Sequence, residues 1–565
     1  MRTKKVTSTS QAHVERGAGC KGPRPRRRLL LILLALAIGL AVRTARATEW
    51  STLYTAHQVR DRLSTPEGRA EAIDFMRRMG VTKVYLETFR DGYQAEPNTL
   101  KASRDYFRQA GLKVAGCVAT TGLGKPSTGW KVVACYTNRA NRERLASIFR
   151  FTAGLFDEII IDDFFFTDCE CSECAAARGR MSWRQYREKL MLEVSRDSVL
   201  GPARAVNPGV KITLKYPQWH DKFQDRGYSV AEESGLYDRI WTGTELRDPS
   251  SDEWGHKSQY EGFFLFRWLS DVAGAKNGGG WFDPYGTDPT FYLDQAYITV
   301  VAGAPEVFLF NAGDLDTNFS ARAEAFAAHR TELESLANLA SNWQGIPAYK
   351  PPSSDPGDEP FIFDQIGMLA VPLVPVAHFP EGARAALFTV HSLEDADFVP
   401  KLASFLGAGG TALISEGLAH RLEGDPRLPG SEPLDLAKGA YTKAVAAGAG
   451  KIIMFSDGLP KLAYVNSHNE VEQLTPDLRA ALAELRRTVG EFTVTSLDAP
   501  PRLAVFPMAG RVAVANFTEL PADFRLIGKG VEAAKRRTLF ATSGASVAED
   551  GETLRLPPHG WLVVE

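Results

Sequence analysis

Between Glu49 and about Asn342 the chain alternates short apolar runs with longer amphipathic segments, and the alternation repeats eight times. The apolar runs are Ser51 to Thr55, Val81 to Glu87, Leu112 to Thr120, Phe156 to Asp163, Val210 to Tyr216, Arg239 to Glu245, Gly278 to Asp283 and Glu306 to Asn311. Helix signals separate them. Ser64-Thr65-Pro66-Glu67 has the form of a capping box with proline in the first turn, and Gly80 stops that helix. Ser182-Trp183-Arg184-Gln185 repeats the box ahead of Tyr186 to Val194. Eight strand–helix pairs in about 290 residues predict an α/β fold of the (β/α)8, or TIM barrel, type.

A barrel of this kind carries its chemistry at the C-terminal ends of the strands. Here the strand ends repeat a carboxylate: Glu87 at the second, Asp162 and Asp163 at the fourth, Glu245 at the sixth, Asp283 at the seventh and Asp314 just past the eighth. Glycoside hydrolysis needs two carboxyl groups flanking the bond, one protonated and one ionised. The run Ile159-Ile160-Ile161-Asp162-Asp163 ends an apolar strand abruptly in two acids. Adjacent strand residues point to opposite sides, so one of the pair faces the cleft; Asp163 is favoured, with Asp162 close behind. Glu245, with Arg247 two residues on, is the partner candidate, and Asp283 a third. The alternatives are that both aspartates are turn or cap acids and that Glu245 is a salt-bridged strand end.

The same rim offers groups suited to sugar hydroxyls and ring faces: Glu87, Lys215, Tyr216, Trp219, Trp241 and Trp281. Aromatic faces bind the C–H faces of sugars but also fill ordinary cores, so each alone reads as packing and only their coincidence with the acids favours a saccharide. The strand ends lack the histidine pairs of a metal-dependent barrel hydrolase. No phosphate-binding glycine loop follows a barrel strand, and no Gly-x-Ser-x-Gly elbow is present.

Beyond a barrel domain at 48–345, a proline-rich polar break runs from Tyr349 to Pro360. The segment 360–475 then reads as a smaller flavodoxin-like α/β domain, with apolar runs at Ala385 to Val390, Ala412 to Ser415 and Lys451 to Phe455. A helix at Thr475 to Val489 leads into 490–565, a strand-rich tail expected to form a small β-sandwich.

The 565 residues sum to a net charge of −2, but the balance is a cancellation. Residues 1–47 hold eleven basic residues and one acid, which leaves 55 basic against 67 acidic residues and a net −12 in the remainder. The basic stretch runs into the apolar segment Leu29 to Val42 and then Ala45-Arg46-Ala47. That order reads as a signal peptide over 1–47, with an uncleaved anchor as the alternative. The apolar segment is short of the roughly 20 residues of a comfortable span. The expected location is the periplasm or outside the cell, with no stable membrane span after cleavage. An acidic mature chain argues against nucleic acid as partner.

Five cysteines follow residue 47. Cys169, Cys171 and Cys174 lie directly after the fourth strand and Cys135 in the neighbouring loop after the third. Four thiolates from two adjacent loops suit a closed, structural Zn2+ site; two disulfides are the alternative, and Cys117 is left as a buried thiol. Cys135-Tyr136-Thr137-Asn138 with Arg139 and Arg142, followed by Cys-x-Cys-x-x-Cys, resembles the zinc site of the glycoside hydrolase family 42 β-galactosidases. The order barrel, flavodoxin-like domain, small β domain resembles that family too. The resemblance implies a glycosidase fold, a zinc clip and a trimeric assembly. Two positions depart from it: the family ends its fourth strand in Asn-Glu, where this chain has Asp162-Asp163, and uses a seventh-strand glutamate as nucleophile, where this chain has Asp283. β-Galactosidase activity therefore does not carry over. The expectation is an exported glycoside hydrolase acting on an oligo- or polysaccharide, with a non-catalytic carbohydrate-binding protein on a glycosidase-like frame as the alternative.

Overall fold

The computed structural model describes residues 48–253, 255–430, 433–465, 474–529 and 536–565. The segment read as a signal peptide lies outside them. Among the described residues no helix is long and apolar enough to cross a membrane.

Eight parallel strands close into a barrel: β1 (Glu49–Tyr54), β2 (Lys83–Arg90), β3 (Lys113–Val118), β4 (Glu158–Ile161), β5 (Lys211–Tyr216), β6 (Arg239–Gly243), β7 (Asn277–Phe282) and β8 (Glu306–Leu309). Each pairs with the next, and β8 returns to β1 with Glu49 opposite Glu306. The helix before β2 is Pro66–Met79. Its cap is Thr65, whose hydroxyl accepts from the Gly68 amide, and not Ser64, because Pro66 takes the first helical position and the residue before it must stay extended. The second box forms as its spacing predicts: the Ser182 hydroxyl accepts from the Gln185 amide, and the Gln185 side chain accepts from the Ser182 amide.

The barrel interior is packed in layers. Lys83 bridges Glu158 at 2.7 Å and Glu306 at 3.1 Å near the N-terminal end, where Tyr85 donates to Glu306 at 3.0 Å. Above them Tyr85, Trp241, Trp281 and Phe308 fill the bore, and Trp281 stacks on Phe308 at 3.9 Å between centroids. The run Gly278-Gly279-Gly280 makes room for these rings: a Cβ on Gly279 would stand 2.8 Å from the Trp241 indole and 2.7 Å from the Glu306 carbonyl.

A second sheet follows, built from β9 (Ile346–Tyr349), β10 (Leu373–Val376), β11 (Ala385–Phe388), β12 (Thr411–Ser415), β13 (Thr442–Ala447) and β14 (Gly450–Phe455). Its order is β10-β9-β11-β12-β14-β13, all parallel except the edge strand β13. Without β13 this is the flavodoxin-like order 2-1-3-4-5. The sheet begins at Ile346, so the polar break expected to precede it lies between its first two strands. After the helix Pro476–Gly490 the tail forms a four-stranded antiparallel sheet (Leu503–Met508, Arg511–Asn516, Trp561–Val564, Thr538–Ala541) and a three-stranded one (Ala522–Arg525, Thr553–Leu556, Ser546–Val547). These share a core that includes Leu503, Val505, Val514, Phe524, Leu554 and Leu562.

A buried polar network joins the barrel to the second sheet. Asp221, just after β5, meets Lys350 at 2.9 Å, His391 at 3.0 Å and His220 at 2.9 Å, and accepts from the Phe361 amide at 2.7 Å. His220 reaches Asp364 at 3.0 Å with its other nitrogen.

Candidate active site

A cleft of about 560 Å3 opens at the end of the barrel where the strands terminate. Thr55, His57 and Gln58 follow β1, Arg90 ends β2, and Asp162, Asp163 and Phe164 follow β4. Lys215 comes from β5 and Trp281 from β7; Glu245 and Arg247 follow β6, Asp283 and Tyr285 follow β7, and Phe310, Asn311 and Asp314 follow β8.

Charge organises the floor. The Lys215 ammonium donates to Asp163 at 2.7 Å and to Glu245 at 2.5 Å, with Asp162 at 3.5 Å. Arg90 holds Asp162 at 2.6 Å and Glu87 at 2.9 Å. Arg247 donates to Glu245 at 3.2 Å and to Asp283. It does so from a left-handed backbone, φ 63°, where a non-glycine residue carries strain of order 1 kcal/mol, a feature that clusters at functional sites.

Three cations thus serve five carboxyl groups, and full ionisation would leave an uncompensated negative charge in a poorly hydrated space. The cost falls unevenly. Burial pushes the Asp163 carboxyl up to about 7; Lys215 opposes this, while Asp162 and Glu245 add to it. Burial acts on Asp162 in the same sense but is outweighed by Lys215, Arg90 and the Asp163 amide, so Asp162 stays below the usual carboxylate range. Glu87 is raised by burial against the pull of Arg90. Burial also works against the charge of Lys215, but its carboxylate neighbours prevail and hold the ammonium above its ordinary range. A lysine so held cannot act as a neutral amine nucleophile, which needs a depressed value.

Of the residues singled out in the sequence, Asp162, Asp163, Glu245, Asp283, Asp314, Lys215 and Trp281 meet in this cleft; both aspartates enter it where strand alternation predicts one, because β4 ends at Ile161 and they lie in the loop beyond it. Four do not line it. Glu87 is fully buried beneath Arg90 and accepts from the Ala56 amide at 2.8 Å. Tyr216 alternates with Lys215 along β5 and so points out of the bore, where it donates to Glu233 at 3.0 Å and packs on Phe223 and Tyr228. Trp219 belongs to the same aromatic wall, against Phe166 and Tyr228. Trp241 points into the bore but a layer too low, against Tyr85 and Phe308. For Glu87, Tyr216 and Trp241 the reason is a strand's facing and depth, which rim position in the sequence does not give; Trp219 lies in the loop after β5 and turns onto the aromatic wall. Sequence reasoning missed Arg90, Gln58, Phe310 and Asn311. Arg90 gave no signal, since residues three apart on a strand face opposite sides; the two meet because the register shifts between Glu87 and Phe89.

Beside the cleft, Cys135, Cys169, Cys171 and Cys174 bring their sulfurs within 4.8 Å of one another. Cys135 to Cys171 is 3.8 Å, and Cys174 lies 3.6 Å from each of them. All five cysteines of the described residues are free thiols. Four sulfurs at about 2.3 Å from one ion stand about 3.8 Å apart at the corners of a tetrahedron, so the set fits a tetrahedral metal. Thr137 approaches Cys174 at 2.9 Å, and Lys125 donates to Cys171 at 3.7 Å, the kind of outer partner that holds a ligand in place.

A closed parallel barrel with paired carboxyl groups at one mouth and a flavodoxin-like sheet behind it defines a protein with the architecture of the barrel glycosidases. Residues 39–351 match the family model described as "Probable glycosyl hydrolase, catalytic domain", and the chain belongs to that family. It is similar to an uncharacterized protein of Saccharolobus solfataricus, 28% identical over 341 residues, a match covering 53% of this chain and 56% of that protein. Among solved structures it is similar to a β-galactosidase from Bacillus circulans sp. alkalophilus (10% identity, TM-score 0.58, covering 92% of this chain and 99% of that one). A family 42 β-galactosidase from G. stearothermophilus matches at 13% identity and TM-score 0.60, over 92% of this chain and 98% of that one. The α-L-fucosidase isoenzyme 2 from Paenibacillus thiaminolyticus matches at 12% and 0.59, over 92% and 99%. At these identities the likeness to the solved structures is one of fold.

Proposed function

We propose that this chain is an exported glycoside hydrolase in which Asp163 is the acid/base and Glu245 the ionised partner that attacks the anomeric carbon. One observation carries the reading: two carboxyl groups lining the cleft share the Lys215 ammonium and differ in their further partners. Asp163 keeps its proton to about pH 7, while Glu245 receives donors from both Lys215 and Arg247. A carboxyl that holds its proton suits the acid role, and one that accepts from two cationic side chains suits the attacking role. Because Asp163 and Glu245 sit 2.7 and 2.5 Å from one nitrogen, their nearest oxygens lie within about 5 Å. The two carboxyls are therefore close enough to act on one glycosidic bond. Asp162 then orients the pair through Lys215, and Asp283 fixes Arg247. The four cysteines would hold Zn2+ as a closed structural site, and the leader would direct the mature chain, from Thr48, out of the cytoplasm.

The test uses aryl glycosides of graded leaving-group acidity. Asp163→Asn should lose activity on poor leaving groups and keep more of it on good ones, whereas Glu245→Gln should lose both, about 100-fold or more. A Glu245→Gln enzyme that turns over normally while Asp283→Asn is dead moves the anionic role to Asp283. The single feature favouring a non-hydrolytic sugar binder is that Lys215 occupies both carboxyls at once; saccharide binding by calorimetry without turnover across the panel selects that reading.

A further inference from the structure

Trp130 is the largest of the exposed apolar side chains among the described residues, 47% accessible. It lies between β3 and the helix Arg139–Ala153, and its ring rests on Phe164 at 5.6 Å and lies near-parallel to Phe166, at 22° and 5.9 Å. Phe164 lines the cleft next to Asp163. An aromatic surface therefore runs outward from the carboxyl pair, first Phe164 and then Trp130.

The loop that carries the indole is fixed. The Trp130 amide donates to both oxygens of Asp168, at 3.1 and 3.0 Å, and the Ser127 hydroxyl and Arg226 donate to the same carboxylate. A Cβ on Gly129 would stand 2.5 Å from that carboxylate, so the approach of loop to carboxylate requires a glycine. The Thr128 hydroxyl accepts from the Glu170 amide at 2.7 Å, and Arg226 lies over the Phe166 ring at 5.8 Å. A single exposed apolar side chain is unremarkable; one locked by this many partners, and continuous with a catalytic cleft, is held for contact.

Resting on the hydrolase reading, we infer that Trp130 and Phe164 form a stacking platform for a second sugar unit of the substrate. The cleft floor is charged and polar and engages the sugar at the scissile bond. The platform offers a flat apolar face, which fits the C–H face of a neutral pyranose. The substrate class this specifies is a neutral oligosaccharide or polysaccharide chain, and a glycoside of a single sugar would leave the platform unused.

Trp130→Ala and Trp130→Phe should be compared with wild type on 4-nitrophenyl monoglycosides and on the matching di- to pentasaccharides. The ratio of kcat/KM for oligosaccharide over monoglycoside should fall about five- to tenfold in Trp130→Ala, mainly through KM, and Trp130→Phe should recover part of it. A ratio that stays within twofold overturns the platform. Calorimetric binding of the same oligosaccharides separates the two readings. If wild type binds them without turnover and Trp130→Ala binds more weakly, the platform stands and the hydrolase reading falls. If wild type binds none of them, the platform falls.

Discussion

Asp163 is the residue on which charge balance and chemistry meet. Unfolded, it releases its proton near pH 3.9; folded, it keeps the proton to about 7. A raised carboxyl contributes stability that is fully present below the unfolded value and is lost as pH rises through the folded one. Replacing Asp163 with Asn removes that dependence. The stability of Asp163→Asn relative to wild type, followed by melting temperature, should therefore climb as pH rises from about 4 to about 8, by up to a few kcal/mol at about 1.4 kcal/mol per unit. Parallel melting curves of the two proteins across that range would show that Asp163 is already ionised at low pH. The two aspartates were legible in the sequence because a run of three isoleucines ends abruptly in two acids. Which aspartate titrates was not legible, because that depends on Arg90, brought to Asp162 from 72 positions away.

At the scale of elements, the eight barrel strands were legible because each is a dense apolar run with a polar exit. The strand β9 was not. Ile-Pro-Ala-Tyr is four residues long, contains proline and runs into Lys350-Pro351-Pro352, so it carries little strand signal, and the break reads as starting at its last residue, Tyr349. The edge strand β13, Thr-Lys-Ala-Val-Ala-Ala, is alanine-rich and half exposed, which leaves little strand signal. The loops after β3 and β4 have the opposite character, since long stretches of them lack regular structure and they meet at the cysteine cluster. Purified protein should carry about one equivalent of zinc, and stripping it with a strong chelator should lower the melting temperature and expose four additional titratable thiols. Cys174→Ser should lose the metal. Metal-free protein whose thiols stay silent after denaturation would instead mean disulfides.

At the scale of the molecule, the barrel and the second sheet are joined by charge as well as by apolar packing. Asp221 is fully buried and takes Lys350, His391, His220 and the Phe361 amide; Asp364, Glu261 and Lys257 complete the surroundings. Burial works against its charge, but Lys350 and the two histidines outweigh it and hold Asp221 well below the usual range. Burial likewise opposes the charge on His220, yet Asp221 and Asp364 raise it to about 9, while burial and Lys350 push His391 down to about 4. The signs combine simply. Asp221 contributes above its ordinary carboxylate range, His220 contributes fully below about 6.5 and fades through about 9, and His391 costs stability as pH falls from about 6.5 to about 4. The joint is strongest near pH 6 to 7. Breaking a buried pair by removing one partner costs about 3–5 kcal/mol, whereas an exposed pair such as Arg60–Asp61 is screened by solvent and contributes little. Asp221→Asn should therefore lower the melting temperature by several degrees at pH 6.5, with the deficit shrinking toward pH 10, and should open the segment from Pro351 to Pro360 to limited proteolysis. Asp61→Asn should do neither. An Asp221→Asn protein that melts like wild type and resists the protease would mean that apolar packing alone holds the second sheet on the barrel.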